Sequence, residues 1–418
     1  MLSPPPVGQL KWETMMKRLH RLRARRLPCS RGSAVAIAAI PLAVACIRPA
    51  PADAPPANVT DSGAAKPITA MLRSVRDRYN VPALGGLVVT DHGVEVMGVV
   101  GVRKAGASVE ARENDAWHLG SDTKAMTATL IGIYVERGVL GWGTTPWEVF
   151  PEWRSTMDDR IKKVTMEQFL AHRSGITDAD VSPNWGALST SRVFAKNQMI
   201  ARRKEFTHEM LCRKNSGMVG TYQYENANYV IAAAMLERLA GRSWEAMMRA
   251  DLFGPLAMKS AGFGSPGEGD AIDAPWGHTH RSGKRQASRA DNPAAMGPAG
   301  TVHASLRDWA KFVQLHLTGA AGGLHLQPGT LKRLHEEYPL RASGDASYGH
   351  GWLITHNGAG DVQLAHDGSN TLWYCSVAAF PQRKRAVLAV ANIGGGVNGH
   401  GDQACWEVNR SLIKRGMR

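Results

Sequence analysis

The chain has 418 residues, of which 44% are hydrophobic and 21% are charged, and its formal net charge is +14. This composition is ordinary for a globular protein and excludes a fibrous or wholly disordered chain. Residues 1–45 hold eight basic residues against one acid, so half of the positive excess lies in that segment. Because the remaining excess is spread thinly, without a dense basic run, we expect no nucleic-acid partner.

The first 45 residues have the organisation of a secretory signal peptide. A basic stretch is followed by the apolar run Ala34–Ala45, which is too short for a typical membrane span. Cys46 follows directly and is a candidate for lipid attachment, whereas Arg25-Arg26 would also fit a twin-arginine signal. Residues 46–66 are rich in Pro and Ala and are expected to form a flexible linker. The sequence therefore predicts an exported protein, either periplasmic or anchored through Cys46 on the outer side of the cytoplasmic membrane.

The elements that follow predict an α+β fold. A helical pattern at Pro67–Tyr79 precedes two β-rich runs, Leu84–Thr90 and Val94–Val100, which flank a hairpin signal. A helix is predicted at Ala125–Arg137, and residues 140–300 show helical patches and loops. Three strands and a last helix are predicted at Tyr348–Ile354, Thr371–Phe380, Ala386–Asn392 and His400–Arg415. We therefore expect residues 67–418 to form an antiparallel sheet flanked by helices, with a largely helical subdomain inserted at roughly 140–300.

The first motif with catalytic chemistry is Ser121-Asp-Thr-Lys124. Side chains three residues apart on a helix share one face, with Cβ atoms about 5–6 Å apart, so the lysine amine can reach the serine hydroxyl and take its proton. A lysine acts as a base only where burial or a nearby cation lowers its pKa. The pattern is weak alone, because Ser411-Leu-Ile-Lys414 matches it equally well. Ser121 is favoured because it immediately precedes an apolar helix, whereas Ser411 lies on the predicted terminal helix.

Two further motifs supply partners for a serine nucleophile. Tyr224-Glu-Asn226 offers a phenol that can relay a proton and an amide that can position groups, although a tyrosine packed at a loop–helix junction would give the same pattern. Glu225, between them, is expected to face solvent. His366-Asp-Gly368 is followed by Ser369 and a strand. Its glycine would let the backbone approach the substrate, and the next N–H would serve as an oxyanion donor.

The remaining cysteines and histidines predict no metal or cofactor site. The cysteines beyond residue 66 form no C-x-x-C pair, and we expect small buried thiols at Cys212, Cys375 and Cys405. His278-Thr-His280 could in principle bind a metal. Two histidines without a third ligand nearby are more typical of structural or exposed positions.

Together these motifs resemble those of the serine β-lactamase and penicillin-binding protein superfamily, most closely its class C β-lactamase, D,D-carboxypeptidase and esterase branch. Supporting stretches are similar as well: Trp117–Lys124, Leu170–Gly175, Tyr224–Gly241, Gly297–Gly300 with Ser305–Asp308, and Tyr348–Trp352. The likeness covers about residues 67–415. It implies an antiparallel sheet flanked by helices beside a largely helical region, with the site between them and with no metal or organic cofactor.

The resemblance also implies a role for each motif residue. Ser121 would form the acyl-enzyme, and Lys124 and Tyr224 would share the general acid–base work. Asn226 would position groups around the lysine and the substrate. His366 would stand where many relatives have a lysine.

The third motif departs from the family at its middle position. The resemblance implies that the backbone N–H groups of Ser121 and Ser369 form the oxyanion hole and that Asp367 and Gly368 border the substrate. Relatives commonly have Thr, Ser or Gly where this chain has Asp367. An ionised aspartate would repel a substrate carboxylate by about 1–4 kcal/mol in a partly screened site. We therefore hypothesise weak penicillin binding and a preference for neutral or cationic acyl substrates. The alternative is that Asp367 is paired or turned away and has no effect on specificity.

The expected function is hydrolysis of an ester or amide through a Ser121 acyl-enzyme, by an esterase, a D-alanyl peptidase or a β-lactamase. An alternative from a different class is a penicillin-binding sensor that is acylated without turnover. A third interpretation is a cell-surface structural lipoprotein whose site is catalytically inactive. The intact motifs disfavour it. The expected partners are a small-molecule or peptide acyl substrate and, through Cys46, a membrane; the sequence predicts no oligomeric state.

Overall fold

The computed structural model describes residues 66–177, 198–281, 284–341, 346–356 and 360–416. The predicted signal peptide, Cys46 and linker residues 46–65 lie outside the described residues. The strands, numbered β1 to β16 in chain order, are Lys66–Pro67, Ala83–Thr90, Gly93–Gly101, Ala116–His118, Gly262–Phe263, Gly277–Arg281, Lys284–Ser288, Val302–Ser305, Ala320–Ala321, Leu324–His325, Tyr338–Pro339, Ala346–Tyr348, Leu353–His356, Val362–Ser369, Tyr374–Phe380 and Arg385–Ala391.

The α-helices, numbered α1 to α11 in chain order, are Thr69–Arg78, Thr123–Glu136, Pro146–Val149, Met166–Leu170, Met199–Cys212, Asn226–Ala240, Trp244–Met247, Gly297–Gly300, Leu306–Thr318, Pro328–Leu334 and Gly401–Gly416. Short 3₁₀ or π turns join several of them, including the turn Gly120–Asp122 directly before α2. Within the described part of the chain, no helix combines the length and the apolar character needed to cross a membrane.

A nine-stranded sheet forms the centre of the fold. Its strand order is β1-β3-β2-β16-β15-β14-β13-β12-β11, and every neighbouring pair except β1–β3 is antiparallel. The first strands and the last strands of the chain therefore meet at β2 and β16, in the middle of one sheet. Between β3 and β11 the chain leaves this sheet, and that interruption encloses the predicted helical insertion. The expected α+β architecture is confirmed.

The sheet is covered on both faces, so its central strands are apolar on both sides. On one face, Leu72 of α1 and Trp406 of α11 pack with Val88, Ala378 and Val387.

On the other face, α9 places Trp309 and Phe312 against Leu87, Val377 and Leu388. This second cluster runs on into the helical region without a break. Because successive residues of a strand point to opposite faces, each residue of the third motif is assigned to one of these two sides.

Two predicted elements differ from the structure. Pro67 lies in the short strand β1 and does not begin the first helix, which starts after Ile68. The predicted strand Tyr348–Ile354 is broken into β12 and β13. The break arises because Gly351, with φ +88°, passes against α2, where an added Cβ would lie 2.5 Å from the Cα of Ala125.

Candidate active site

The turn that carries Ser121 is fixed to a helix buried on almost all sides. Ser121 lies in the 3₁₀ turn Gly120–Asp122, and Lys124 lies in the first turn of α2. Twelve residues of α2 are buried, which identifies it as a central helix of the core. Ser121 itself is 7% exposed. The helix therefore holds the hydroxyl rigidly near the surface, close to the positive end of the α2 dipole.

The amine of Lys124 reaches the hydroxyl of Ser121, as the motif spacing predicts. Lys124 is fully buried, and its Nζ donates to Ser121 Oγ at 3.2 Å. It also donates to Asn226 Oδ1 at 2.8 Å and to the carbonyl of Ala299 at 2.7 Å. Both of these acceptors are uncharged, and burial disfavours the charged form of an amine. The structure thus brings the nucleophile and its candidate base together.

The second motif lies at the start of α6. Asn226 is the first residue of that helix, and Tyr224 precedes it by two residues. The ring of Tyr224 faces the lysine, whose Nζ lies 4.8 Å from the ring centroid. Glu225 is buried rather than solvent-facing: it is 8% exposed, and Gln223 donates to its Oε1 at 2.6 Å. The solvent-facing position predicted for Glu225 is therefore wrong.

The third motif forms the end of β14, which packs directly against the Ser121 turn. An added Cβ on Gly368 would lie 1.9 Å from the carbonyl oxygen of Leu119, so only glycine fits there. An added Cβ on Gly120, whose φ is +49°, would lie 2.3 Å from the amide nitrogen of Ser369. The backbones that precede Ser121 and that contain Ser369 are thus in contact. Two backbone N–H groups can bind one oxyanion only if they lie close together, as this contact allows for those of Ser121 and Ser369.

The imidazole of His366 is held by groups on both sides. Its Nδ1 lies 2.9 Å from the carbonyl oxygen of Asp367, and its Nε2 lies 3.0 Å from the hydroxyl of Tyr348. Burial raises the pKa of Tyr348 well above its ordinary value, so this phenol stays protonated. A neutral His366 therefore carries its hydrogen on Nδ1 and accepts the Tyr348 hydroxyl hydrogen at Nε2. The ring lies 6.2 Å from that of Tyr224, centroid to centroid.

Asp367 points away from the site, so its predicted place beside the substrate is wrong. In β14 it alternates with His366, and its register partner is Ser376 on β15. Its Oδ2 accepts hydrogen bonds from the Tyr374 hydroxyl at 2.8 Å and from the Trp406 indole at 2.9 Å. Trp406 belongs to α11, on the face of the sheet opposite the helical region. The pleat of the strand thus turns this carboxylate into the other core, and the basis for repelling a substrate carboxylate disappears.

Asp122 and Cys375 form a buried pair under the Ser121 turn. The Cys375 thiol lies 2.8 Å from Asp122 Oδ2 and 3.0 Å from the carbonyl oxygen of Leu119. Asp122 Oδ1 is 3.6 Å from Nδ1 of His366. Burial is the main cause that raises the pKa of the Asp122 carboxyl well above its ordinary value. This pair links the first motif to the third and could not be inferred from the two motifs separately.

The sequence analysis also assigned no function to the aromatic residues around Lys124. The ring of His172 lies against that of Tyr224, tilted by 39° with centroids 4.4 Å apart, and its Nδ1 accepts the N–H of Glu225 at 3.2 Å. Tyr348 joins this group through His172 and His366. His172 and Tyr348 both lie in stretches that carry the family resemblance, so the sequence held a signal for them without giving either a role.

The other sequence candidates lie away from the site. Ser411 is on the last helix, α11. His278 lies on β6, where Nε2 accepts the N–H of Ala105 at 3.0 Å and Nδ1 lies 2.6 Å from the carbonyl of Asn392. Burial lowers the pKa of His278 to about 4, consistent with a neutral structural histidine. No cluster of three or more metal-ligating side chains occurs among the residues that the structure covers.

The sequence and the fold of this chain are similar to those of known proteins. The sequence profile of the family described as Beta-lactamase matches residues 68–404. Penicillin-binding protein 4 of Amycolatopsis lactamdurans is 24% identical over 337 residues, which are 78% of this chain and 84% of that protein. The octameric penicillin-binding protein homologue from Pyrococcus abyssi has a TM-score of 0.66 at 19% identity, covering 83% of this chain and 78% of its own. The D-amino acid amidase from Ochrobactrum anthropi SV3 has a TM-score of 0.65 at 18% identity, covering 84% and 99%.

Proposed function

We propose that this chain, which belongs to the β-lactamase family, hydrolyses an ester or amide through an acyl-enzyme on Ser121. One observation carries the proposal: the buried Lys124 amine lies 3.2 Å from the Ser121 hydroxyl and is held there by uncharged oxygens. Lys124 takes the hydroxyl proton as Ser121 Oγ attacks the acyl carbon, and a tetrahedral intermediate forms. The N–H groups of Ser121 and Ser369 stabilise its oxyanion.

Collapse of that intermediate expels the leaving group. The leaving group takes a proton from Lys124, directly or by way of the Tyr224 hydroxyl. Water then attacks the acyl-enzyme with the same groups acting in reverse, which releases the acid and regenerates Ser121. Asn226 holds the lysine amine in place throughout, through its 2.8 Å hydrogen bond.

Small neutral acyl compounds and D-amino-acid amides or peptides are the substrates that we propose. The fold is shared with a D-amino acid amidase, and a penicillin-binding protein is among the relatives. Penicillins are also possible substrates, because the Asp367 carboxylate that was expected to repel them accepts hydrogen bonds from Tyr374 and Trp406, away from the site.

We also propose export by residues 1–45 with lipid attachment at Cys46. Radiolabelled palmitate incorporation that Cys46→Ser abolishes would support this.

The second candidate is a penicillin-binding sensor that is acylated once and does not turn over. Pre-steady-state kinetics with a p-nitrophenyl ester and a fluorescent penicillin separates the two functions. The hydrolase gives a burst of one product per site followed by steady release, and Ser121→Ala abolishes both phases. A burst without any steady phase for every substrate tested would favour the sensor. Steady release that persisted in Ser121→Ala would contradict both candidates.

A further inference from the structure

A partly buried carboxylate, Asp291, lies close to both segments that carry the proposed oxyanion donors, and no predicted motif contains it. Asp291 Oδ1 accepts hydrogen bonds from the Asn370 amide at 3.0 Å and from the N–H of Asn292 at 2.6 Å. The same oxygen lies 2.8 Å from Nε2 of His118, although the N–H of that ring does not point straight at it. The Asp291 side chain is only 13% exposed. Hydrogen bonds to such a charged, weakly solvated acceptor are roughly twice as strong as those between neutral groups.

The contact with His118 connects Asp291 to the backbone before Ser121. His118 is buried, and its Nδ1 accepts the N–H of Gly120 at 3.1 Å. Because Nδ1 accepts, a neutral His118 carries its hydrogen on Nε2, the nitrogen that faces the carboxylate. Gly120 has φ +49°, a conformation that sets the direction of the next peptide N–H, which belongs to Ser121.

The hydrogen bond from Asn370 connects Asp291 to the turn after Ser369. Asn370 donates to the carboxylate with its amide nitrogen, while its Oδ1 accepts the N–H groups of Leu372 and Trp373, each at 3.2 Å. Thr371 in this turn has φ +77°, which is unfavourable for a β-branched residue. The hydrogen bonds of Asn370 therefore hold a turn that would otherwise relax and carry the Ser369 amide with it.

These two contacts meet at one carboxylate, although the two backbone segments are about 250 residues apart. We propose that Asp291 is a positioning residue of the oxyanion hole, which fixes the Ser121 and Ser369 N–H groups relative to each other through His118 and Asn370. The inference rests on the proposed function, because it assumes that these two N–H groups bind the oxyanion. Donors aimed at the oxyanion act mainly in the transition state, so loosening them lowers kcat more than it raises KM.

The test uses the full-length protein with Asp291→Ala and Asp291→Asn. Asp291→Ala removes the oxygen that faces both His118 and Asn370, and we expect kcat for a p-nitrophenyl ester to fall about 10- to 100-fold, with KM changed less than about threefold. The second-order rate of labelling by a fluorophosphonate falls in parallel, since its phosphoryl oxygen uses the same hole. Asp291→Asn keeps one acceptor oxygen. Its fall in log kcat should therefore be at most half of the fall caused by Asp291→Ala. Asp273→Asn removes a carboxylate from a more exposed ion pair with Arg289 and serves as the matched control.

A double variant distinguishes positioning from general destabilisation. Because Asp291 acts partly through His118, the fall in kcat for the double variant Asp291→Ala with His118→Ala should be smaller than the product of the two single falls. Thermal unfolding of each variant shows whether it is folded, and His118→Asn, which keeps an acceptor for the Gly120 N–H, replaces His118→Ala if the latter is not. Unchanged kcat in folded Asp291→Ala, with Ser121→Ala inactive, would overturn this inference alone. Activity surviving in Ser121→Ala would overturn the proposed function instead.

Discussion

Asp367→Asn is expected to stabilise the protein relative to the wild type as the pH rises through about 6. Burial is the main cause that raises the pKa of the Asp367 carboxyl from 3.8 to about 6. Below pH 3.8 the carboxyl is protonated in both the folded and the unfolded state. Between 3.8 and about 6 only the folded state holds the proton, and above that range neither does. The stability that the protonated carboxyl contributes at low pH is therefore lost as the pH rises through about 6.

The size of this effect follows from the two pKa values. Their separation corresponds to about 3 kcal/mol of unfolding free energy between the acid and the neutral limit. The amide side chain of the Asp367→Asn variant does not titrate, so the free-energy difference between variant and wild type should rise by up to that amount from pH 4 to pH 7. Titrating groups that do not interact with Asp367, such as His278, contribute equally to both proteins and cancel in the difference.

Urea unfolding followed by tryptophan fluorescence at several pH values between 4 and 8 measures this difference directly. Asp159→Asn, at a side chain that is 90% exposed, is the control and should give a difference that does not depend on pH. A flat difference for Asp367→Asn across the same range would show that the carboxyl keeps an ordinary pKa, and the buried position assigned to it would then be wrong.

Three further outcomes follow from the site. Lys124→Ala should lower kcat/KM for a p-nitrophenyl ester by about 10²- to 10⁴-fold through loss of the general base, whereas Lys414→Ala, in the second Ser-x-x-Lys match, should leave it unchanged; equal losses would refute the assignment. Asp367→Thr should leave the rate of acylation by penicillin within about twofold, because the carboxylate is on the far face of the sheet; a rise of about tenfold or more would restore the repulsion hypothesis. Gly368→Ala should destabilise the fold by about 2 kcal/mol or more in a urea titration, because its Cβ would lie 1.9 Å from the Leu119 carbonyl oxygen, whereas Gly329→Ala, with open space around it, should not.

Local sequence patterns predicted the parts of the site that lie within one element. The three-residue spacing of Ser121 and Lys124 sufficed to predict their contact, because a single turn of helix determines it. The hairpin of β2 and β3 was predicted for the same reason, since its register depends on neighbouring residues. Such contacts need no knowledge of the rest of the chain.

Contacts between distant segments escaped prediction, because nothing in a short stretch encodes them. The 2.7 Å hydrogen bond from Lys124 to the Ala299 carbonyl joins segments more than 70 residues apart, and so do the contacts of Asp291 with His118 and Asn370. The direction of Asp367 was missed for a different reason. Its motif was assigned to the segment before a strand, whereas it forms the end of β14 itself, where the pleat sends alternate side chains to opposite faces.

The central claim, that Ser121 is the nucleophile, is tested most directly by mass spectrometry after treatment with a fluorophosphonate. The wild-type protein should gain one phosphonyl group, and the modified peptide should fragment to a single site at Ser121. Ser121→Ala should remain unlabelled while keeping the wild-type thermal midpoint within a few degrees. A stoichiometric adduct on folded Ser121→Ala, or an adduct mapped to another residue of the wild type, would contradict the account.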